Sequence, residues 1–399
     1  MDKKITVGVV GSGAMGSGIA QVAATAGHQT VVYDTNENAL EKAKSNLSSV
    51  LAKLTEKGKL NLDESKNIFR LVKFTNNISE FSPCGLVIEA IVENLEVKQK
   101  AFTDLEKIVS GDCVLASNTS SLSITSIASA CAKPERVIGI HFFNPAPLMP
   151  LVEIIPGIST KQGLAEEIKQ LIAGWKKVPV IAKDTPGFIV NRVARPFYGE
   201  SIRIYEEGIA DLPAGQAGFA TIDSVMREAG FKMGPFELMD LIGNDINYTV
   251  TETVWKQFFC DPKYKPSLTQ KRLVEAKQFG KKSGKGYYNY ENGSLVLPVS
   301  DSPLQETVKE KILMRVLAML INEASDALYY GVATKEDIDL AMTKGVNYPK
   351  GLLKWADEIG IEKVLSALEK LYSTYQEDRY RPSVLLKKMV QEGKKGFFA

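Results

Sequence analysis

Ile5 to Val10 is an apolar, β-branched run that leads without a break into Gly11-Ser12-Gly13-Ala14-Met15-Gly16 and then into the helix-forming stretch SGIAQVAATAG. Few short sequences restrict a fold so much. A strand that turns at once into a helix needs Gly11 for the tight turn and Gly16 for close packing of the helix, while Gly13 lets a ligand approach the backbone. The helix N-terminus behind them offers N–H groups and the positive end of its dipole to a phosphate. This spacing in this context opens a parallel α/β sheet and suits a dinucleotide pyrophosphate. The next strand, TVVYD, ends at Asp34, about 20 residues past the glycines, where a carboxylate accepts hydrogen bonds from both ribose hydroxyls. The same charge repels a 2′-phosphate, and no arginine follows it in TNENALEKAK, so NAD is expected rather than NADP. An Asp34 that only caps the next helix is the competing reading.

From Lys4 to about Asp184, short strand-like runs (ITVGVV, TVVYD, LVIEA, VLASN, RVIGIHFF, LVEII, VPVIAK) alternate with segments of helical period. That alternation predicts an open α/β sheet covered on both faces. After Thr185-Pro186-Gly187 the strand signals largely stop and long amphipathic stretches continue to the end. The helical part repeats itself. Arg192, Glu200 and Gly208 recur as Arg315, Glu323 and Gly331 at an offset of 123, and Ile222, Asp223 and Met226 recur as Ile338, Asp339 and Met342 at 116. Removing the seven residues Leu212 to Gly218 restores the register, so GIADFATID lies against GVATKEDID, and that stretch reads as an exposed loop insertion. The predicted architecture is therefore a Rossmann-like NAD-binding domain over 1–184, followed by two all-α domains over 185–295 and 296–399. Asn191 of the first copy falls on Met314 of the second, which makes no useful hydrogen bond, so only the first copy looks equipped to serve a reaction.

The 399 residues are too many for one ordinary core, and their 44% hydrophobic and 24% charged content is that of a globular protein. No apolar run approaches the roughly 20 residues that span a bilayer, and the start Met1-Asp2-Lys3-Lys4 has no secretory h-region, so a cytoplasmic protein with no membrane partner is expected. A formal net charge of +2 without a basic block argues against nucleic acid as a partner. Cys84, Cys113, Cys131 and Cys260 form no CxxC pair and read as buried small residues, and no metal-ligating set is expected.

Only two histidines occur, which narrows the search for a group that exchanges protons near neutral pH. His28, in AGHQT, reads as a solvated turn residue. His141 closes RVIGIHFFNP at the C-terminal edge of the sheet, where open α/β folds bind ligands. Glu153, in PLVEII, stands on the next strand and can hold the imidazole and stabilise its charged form. A buried histidine satisfied by the core is the competing reading.

Together GSGAMGSGIAQVAA, VIEAIVENLEVK, ASNTSSLSIT, HFFNPAPLMPLVEII, DTPGFIVNR, GPFELMD and FGKKSGKGYY resemble the 3-hydroxyacyl-CoA dehydrogenases, in order, from about residue 4 to 290. The last segment, YRPSVLLKKMVQEGKKGFF, resembles the second helical copy of longer bacterial members. The resemblance implies NAD-dependent oxidation of (3S)-3-hydroxyacyl-CoA to the 3-oxoacyl-CoA, and the reverse reduction. It implies His141 as acid/base, Glu153 as its orienting partner, and Ser120 and Asn191 as hydrogen-bonding groups around the reacting oxygen, in a cleft between the first two domains. For the cofactor it implies Gly11, Gly13, Ala14, Met15, Gly16, Asp34, Glu93, Lys98, Ser120, Asn144 and Lys282. For the acyl-CoA substrate it implies Ser120, Asn191 and Lys57, with Lys53 nearby and Val50 where some relatives carry a serine. Glu93 with Lys98 also reads as a surface ion pair, Ser120 as a helix cap, Asn191 as an N-terminal cap or domain-joint hydrogen bond, and Lys282 and Lys57 as solvated lysines. An isologous homodimer through the first helical copy is the family expectation; a monomer follows if the second copy takes that contact. Two other functions compete: a dehydrogenase of a 3-hydroxy acid without CoA, and a non-catalytic dinucleotide-fold protein.

Overall fold

A computed structural model describes residues 4–208, 212–296 and 305–399. Met1 to Lys3, the Ile209 to Asp211 part of the repeat register, and residues 297–304 just after the expected 295/296 boundary lie outside the described residues. The chain divides into two compact units, Met1–Phe188 and Ile189–Ala399. Among the described residues no helix is long and apolar enough to cross a membrane, and no cluster of His, Cys, Asp or Glu could hold a metal ion.

The first unit is built on eight strands: β1 (Thr6–Val10), β2 (Gln29–Tyr33), β3 (Val72–Thr75), β4 (Cys84–Glu89), β5 (Val114–Ser117), β6 (Val137–Phe142), β7 (Leu151–Pro156) and β8 (Val178–Ile181). Their order is β3-β2-β1-β4-β5-β6-β7-β8. All neighbours pair in parallel except β6 and β7. Seven of these strands correspond to the runs read from the sequence. The eighth, β3, has the sequence VKFT, too short and too polar on one side to stand out. Helices cover both faces. Asn36 caps the helix Glu37–Glu56, and Asn61 with Glu64 forms a reciprocal capping box on Leu62–Leu71. The interior is aliphatic, with Val7, Val9, Ile19, Val32, Ile88, Ile138, Ile140, Val152 and Ile154 all buried.

Register places the ends of the central strands in line. Val10 lies opposite both Tyr33 and Glu89, Glu89 opposite Ser117, and Ser117 opposite Gly139. The loops that leave these ends therefore meet along one edge. The chain reverses its order between β1 and β4, which is where open α/β sheets hold ligands.

His28, Cys131 and Cys260 differ from what the sequence leads one to expect. His28 is buried, not solvated: its Nε2 accepts from the Trp175 indole N–H at 3.0 Å and its Nδ1 lies 3.2 Å from the Ile5 carbonyl. A neighbour 147 positions away in sequence gave no local signal. All four cysteines are free; Cys84 and Cys113 are buried as expected and burial pushes both thiols up to about 12, but Cys131 is only half-buried and Cys260 is exposed on a left-handed turn at φ 63°.

In the second unit the repeat reappears as matched devices. The Asp223 carboxylate accepts the backbone N–H groups of Phe236 and Glu237, both at 2.9 Å, and Asp339 accepts those of Leu353 and Lys354 at 2.8 and 2.9 Å. Asp240 holds the N–H groups of Tyr287 and Tyr288, as Asp357 holds those of Phe397 and Phe398. One difference is local. Pro196 separates a four-residue helix, Val190–Val193, from the helix Arg195–Glu206, because proline lacks the N–H a continuous helix needs. Met319 stands at the repeat position, and the corresponding helix Glu306–Tyr329 runs unbroken for 24 residues. The insertion is only partly a loop: Gln216 to Gly218 form the first turn of the helix Gln216–Glu228, with Gly218 buried. A short hairpin, Asn289–Glu291 with Ser294–Val296, is the one strand pair among the described residues of this unit.

Candidate active site

The turn after β1 has the geometry that its glycines require. Gly11 sits at φ +100°, and a Cβ there would lie 2.7 Å from the Ala90 carbonyl oxygen at the end of β4. At Gly16 a Cβ would lie 1.9 Å from the Gly11 carbonyl oxygen, so the helix Ala14–Thr25 packs backbone against backbone on the turn. At Gly13, the N-cap, a Cβ meets nothing within 4 Å and no side chain caps the helix. Open space before uncapped N–H groups at Gly13, Ala14, Met15 and Gly16 is a fit for an anionic pyrophosphate.

Asp34 follows β2 beside this turn. One oxygen accepts the Ser12 N–H at 2.9 Å and the Ser12 hydroxyl at 2.8 Å; the other accepts the Asn36 N–H at 3.0 Å. Burial opposes its charge, but the Asn36 and Ser12 donors outweigh it and hold the carboxyl below its ordinary value. The cap of the next helix is Asn36, accepting from the Ala39 N–H, so Asp34 is not needed for that task.

Across β4 and β5 lies a buried polar cluster. Lys98 is 1% exposed, and its ammonium lies 2.6 Å from Glu89 Oε1 and 3.2 Å from Glu93 Oε2. The pairing of Glu93 with Lys98 is present, but it is a surface pair on one side only: Glu93 is exposed and Lys98 is buried. The member missing from that reading, Glu89, is fully buried at the end of β4 and also accepts the Ser117 hydroxyl at 2.6 Å. A glutamate inside the apolar run LVIEA was the available signal. Glu93 accepts the Thr119 and Ser121 hydroxyls at 2.5 and 2.9 Å and the Ser120 N–H at 3.2 Å. Burial resists its ionisation, yet Lys98 and these hydroxyls hold its carboxyl below the ordinary value. Ser120 therefore lies in a loop braced by Glu93, and the cap of the next helix, Ile124–Ala128, is Ser123 instead.

His141 stands on β6 directly opposite Glu153 on β7, and residues opposite one another in an antiparallel pair project to the same face. Nδ1 lies 2.7 Å from Glu153 Oε2, with the His141 side chain 7% exposed and the Glu153 side chain fully buried. With Nδ1 engaged, the ring presents Nε2 for exchange. Phe143 and Phe188 pack on the imidazole at 4.5 and 5.9 Å between ring centroids. Asn118, at the end of β5, accepts the Phe142 N–H at 2.8 Å and ties the loop of Ser120 to the strand of His141. Asn144 is exposed two residues past β6. Lys57 is exposed at the C-cap of Glu37–Glu56, and Val50 is 40% exposed on the same helix. Asn191 and Lys282 belong to the other unit. Asn191 lies on the short helix Val190–Val193, and the Lys282 ammonium pairs with Asp245 at 2.6 Å.

Residues 6–185 match the family description "3-hydroxyacyl-CoA dehydrogenase, NAD binding domain", and residues 187–290 and 312–397 match its "C-terminal domain" twice. The chain belongs to the 3-hydroxyacyl-CoA dehydrogenase family. It is 36% identical to the 3-hydroxyadipyl-CoA dehydrogenase of Escherichia coli K12, over 96% of each chain. It is 42% identical to the human mitochondrial hydroxyacyl-coenzyme A dehydrogenase, over 71% of this chain and 90% of that one. The crystal structure of the 3-hydroxybutyryl-CoA dehydrogenase of E. coli K12 superposes with a TM-score of 0.89 at 36% identity, covering 98% of this chain and 99% of that one. The protein is an NAD-dependent 3-hydroxyacyl-CoA dehydrogenase, an oxidoreductase. Replacing Asp34 by Ala tests the ribose contact that the sequence assigns to it: charge-assisted hydrogen bonds of about 1.5–3 kcal/mol translate to about a 10- to 100-fold weaker Kd for NADH. Fluorescence titration with NADH and NADPH checks this; the variant should also discriminate less against NADPH, since the repulsion is gone.

Proposed function

We propose that His141 is the acid/base of this enzyme and that the substrate is the (3S)-3-hydroxyacyl-CoA thioester. The observation that carries the reading is the buried His141–Glu153 contact of 2.7 Å on the ligand-binding edge of the sheet. When bound, NAD supplies acceptance of a hydride from the substrate's 3-carbon. Gly11, Gly13, Ala14, Met15 and Gly16 hold its pyrophosphate and Asp34 its ribose, with Glu93, Lys98, Ser120, Asn144 and Lys282 as further contacts. His141 takes the 3-hydroxyl proton at Nε2 as the alcohol becomes a ketone, and returns it there in the reverse direction. Glu153, hydrogen-bonded at Nδ1, fixes the tautomer and stabilises the imidazolium that forms. Ser120 and Asn191 donate to the substrate oxygen as its charge changes, a task for fixed dipoles. Lys57 meets the phosphates of coenzyme A as a point charge.

The test is NADH consumption with 3-oxoacyl-CoA esters from acetoacetyl-CoA to long chains, with NADPH and free acetoacetate as controls. We expect turnover of thioesters with NADH and little with either control. Equal turnover of the free acid would replace this reading with that of a dehydrogenase acting without CoA.

A further inference from the structure

We propose that Glu323, on the second helical copy, is a positioning residue for Asn191 and acts through Arg192. This rests on the reading above that Asn191 bonds the reacting oxygen. Asn191 lies in a helix of only four residues, cut from the next by Pro196, and so short a helix has almost no stability of its own. Its orientation has to come from outside. Arg192, the adjoining residue, is buried and donates from Nε to Glu323 Oε1 at 2.6 Å. Its guanidinium also lies over the Phe258 ring at 5.1 Å. Glu323 is fully buried and held from three sides, by Arg192, by the Tyr264 hydroxyl at 2.6 Å and by the Lys263 ammonium at 2.9 Å. A carboxylate so fixed leaves the arginine, and the turn that carries it, one position.

The repeat supplies a second buried arginine–glutamate pair for comparison. Arg315 of the second copy donates from Nε to Glu200 of the first at 2.5 Å, Tyr380 donates to the same carboxylate at 2.7 Å, and the guanidinium lies over Tyr375 at 5.0 Å. The two pairs are related by the repeat and both are buried. They differ in two respects: Arg315 is held as well by Glu207, at 2.8 and 3.1 Å, and the residue beside the arginine is different. Next to Arg315 is Met314, inside an unbroken helix and unable to hydrogen-bond usefully. A purely structural role leaves the effect of a Glu323 substitution on kcat the same whether or not Asn191 is present, and a positioning role makes that effect depend on Asn191.

The experiment compares Glu323→Gln, Glu200→Gln, Asn191→Ala and the double variant Glu323→Gln/Asn191→Ala in the full chain, by melting temperature, kcat with acetoacetyl-CoA, and NADH affinity. We expect a smaller loss of Tm in Glu200→Gln, where Glu207 still holds Arg315, than in Glu323→Gln. We expect kcat to fall on the order of 10-fold in Glu323→Gln, since misplacing a reacting group by about 1 Å costs up to about 100-fold, and to stay within about two-fold in Glu200→Gln. NADH affinity stays unchanged in both. In the double variant the effect of Glu323→Gln on kcat disappears, because its target is gone. Equal kcat losses in the two glutamate variants, or undiminished kcat in Glu323→Gln beside an impaired Asn191→Ala, overturns the proposal alone. Undiminished kcat in Asn191→Ala overturns the role of Asn191 and the proposal with it. If Glu323→Gln does not fold, Arg192→Lys against Arg315→Lys makes the same comparison with the charge retained.

Discussion

Replacing His141 by Gln is expected to lower kcat by about 1,000-fold, within the range that positioned general acids and bases contribute, while NADH binds as in the parent protein. Glutamine is the informative choice. Its amide can still donate to Glu153, so a fully buried carboxylate keeps a donor where alanine would remove one. What the amide cannot do is take up or release a proton near neutral pH. The variant thus separates proton transfer from folding, and its Tm should stay within a few degrees of the parent. Steady-state NADH oxidation with acetoacetyl-CoA measures the loss, and fluorescence titration measures the cofactor. Glu153→Gln should lose less, about 10- to 100-fold, because it leaves the imidazole in place and removes only the charge that stabilises its protonated form. A His141→Gln enzyme with even a tenth of parental kcat would end the assignment.

The residues differ in how far their roles could be seen before the fold was known. Local chemistry was legible: the glycine turn, the place of Asp34 after the second strand and seven of the eight strands follow from periodicity and from backbone needs that only glycine meets, while the order of the strands in the sheet does not. His141 stood out because histidine is rare here. Its partnership with Glu153 needed only that two neighbouring strands pair, although nothing in the alternation showed that β7 runs against β6. Residues whose meaning comes from distant neighbours were opaque. Glu89 resembles an ordinary strand end until Lys98 and Ser117 are seen on it. His28 looked solvated because Trp175 lies far along the chain. The repeat made Arg192, Glu200, Arg315 and Glu323 visible as recurring residues, but not that each arginine reaches into the other copy, since an internal repeat reports similarity and not docking.

Substitution of Gly16 by Ala is expected to weaken NADH binding by about 100-fold, or about 2.7 kcal/mol, although the added methyl faces away from solvent and touches no proposed ligand atom. The reason is steric and lies entirely in the backbone. The new Cβ would stand 1.9 Å from the Gly11 carbonyl oxygen and 2.9 Å from its carbon, and neither atom can rotate aside as a side chain would. The turn itself is pinned, by the Gly11 N–H on the Tyr33 carbonyl at 2.8 Å and by the Ser12 N–H on Asp34 at 2.9 Å. The helix Ala14–Thr25 must therefore move, and its N-terminal N–H groups move away from the pyrophosphate site proposed for them. Overpacking of this kind also costs about 1–3 kcal/mol of stability. Gly13→Ala is the contrasting case. Its Cβ meets no protein atom within 4 Å, so the fold should melt at the parental temperature, and any loss of NADH affinity reports the ligand's own approach to that backbone. Parental NADH affinity in Gly16→Ala, measured by the same fluorescence titration, would mean that the helix N-terminus does not hold the cofactor.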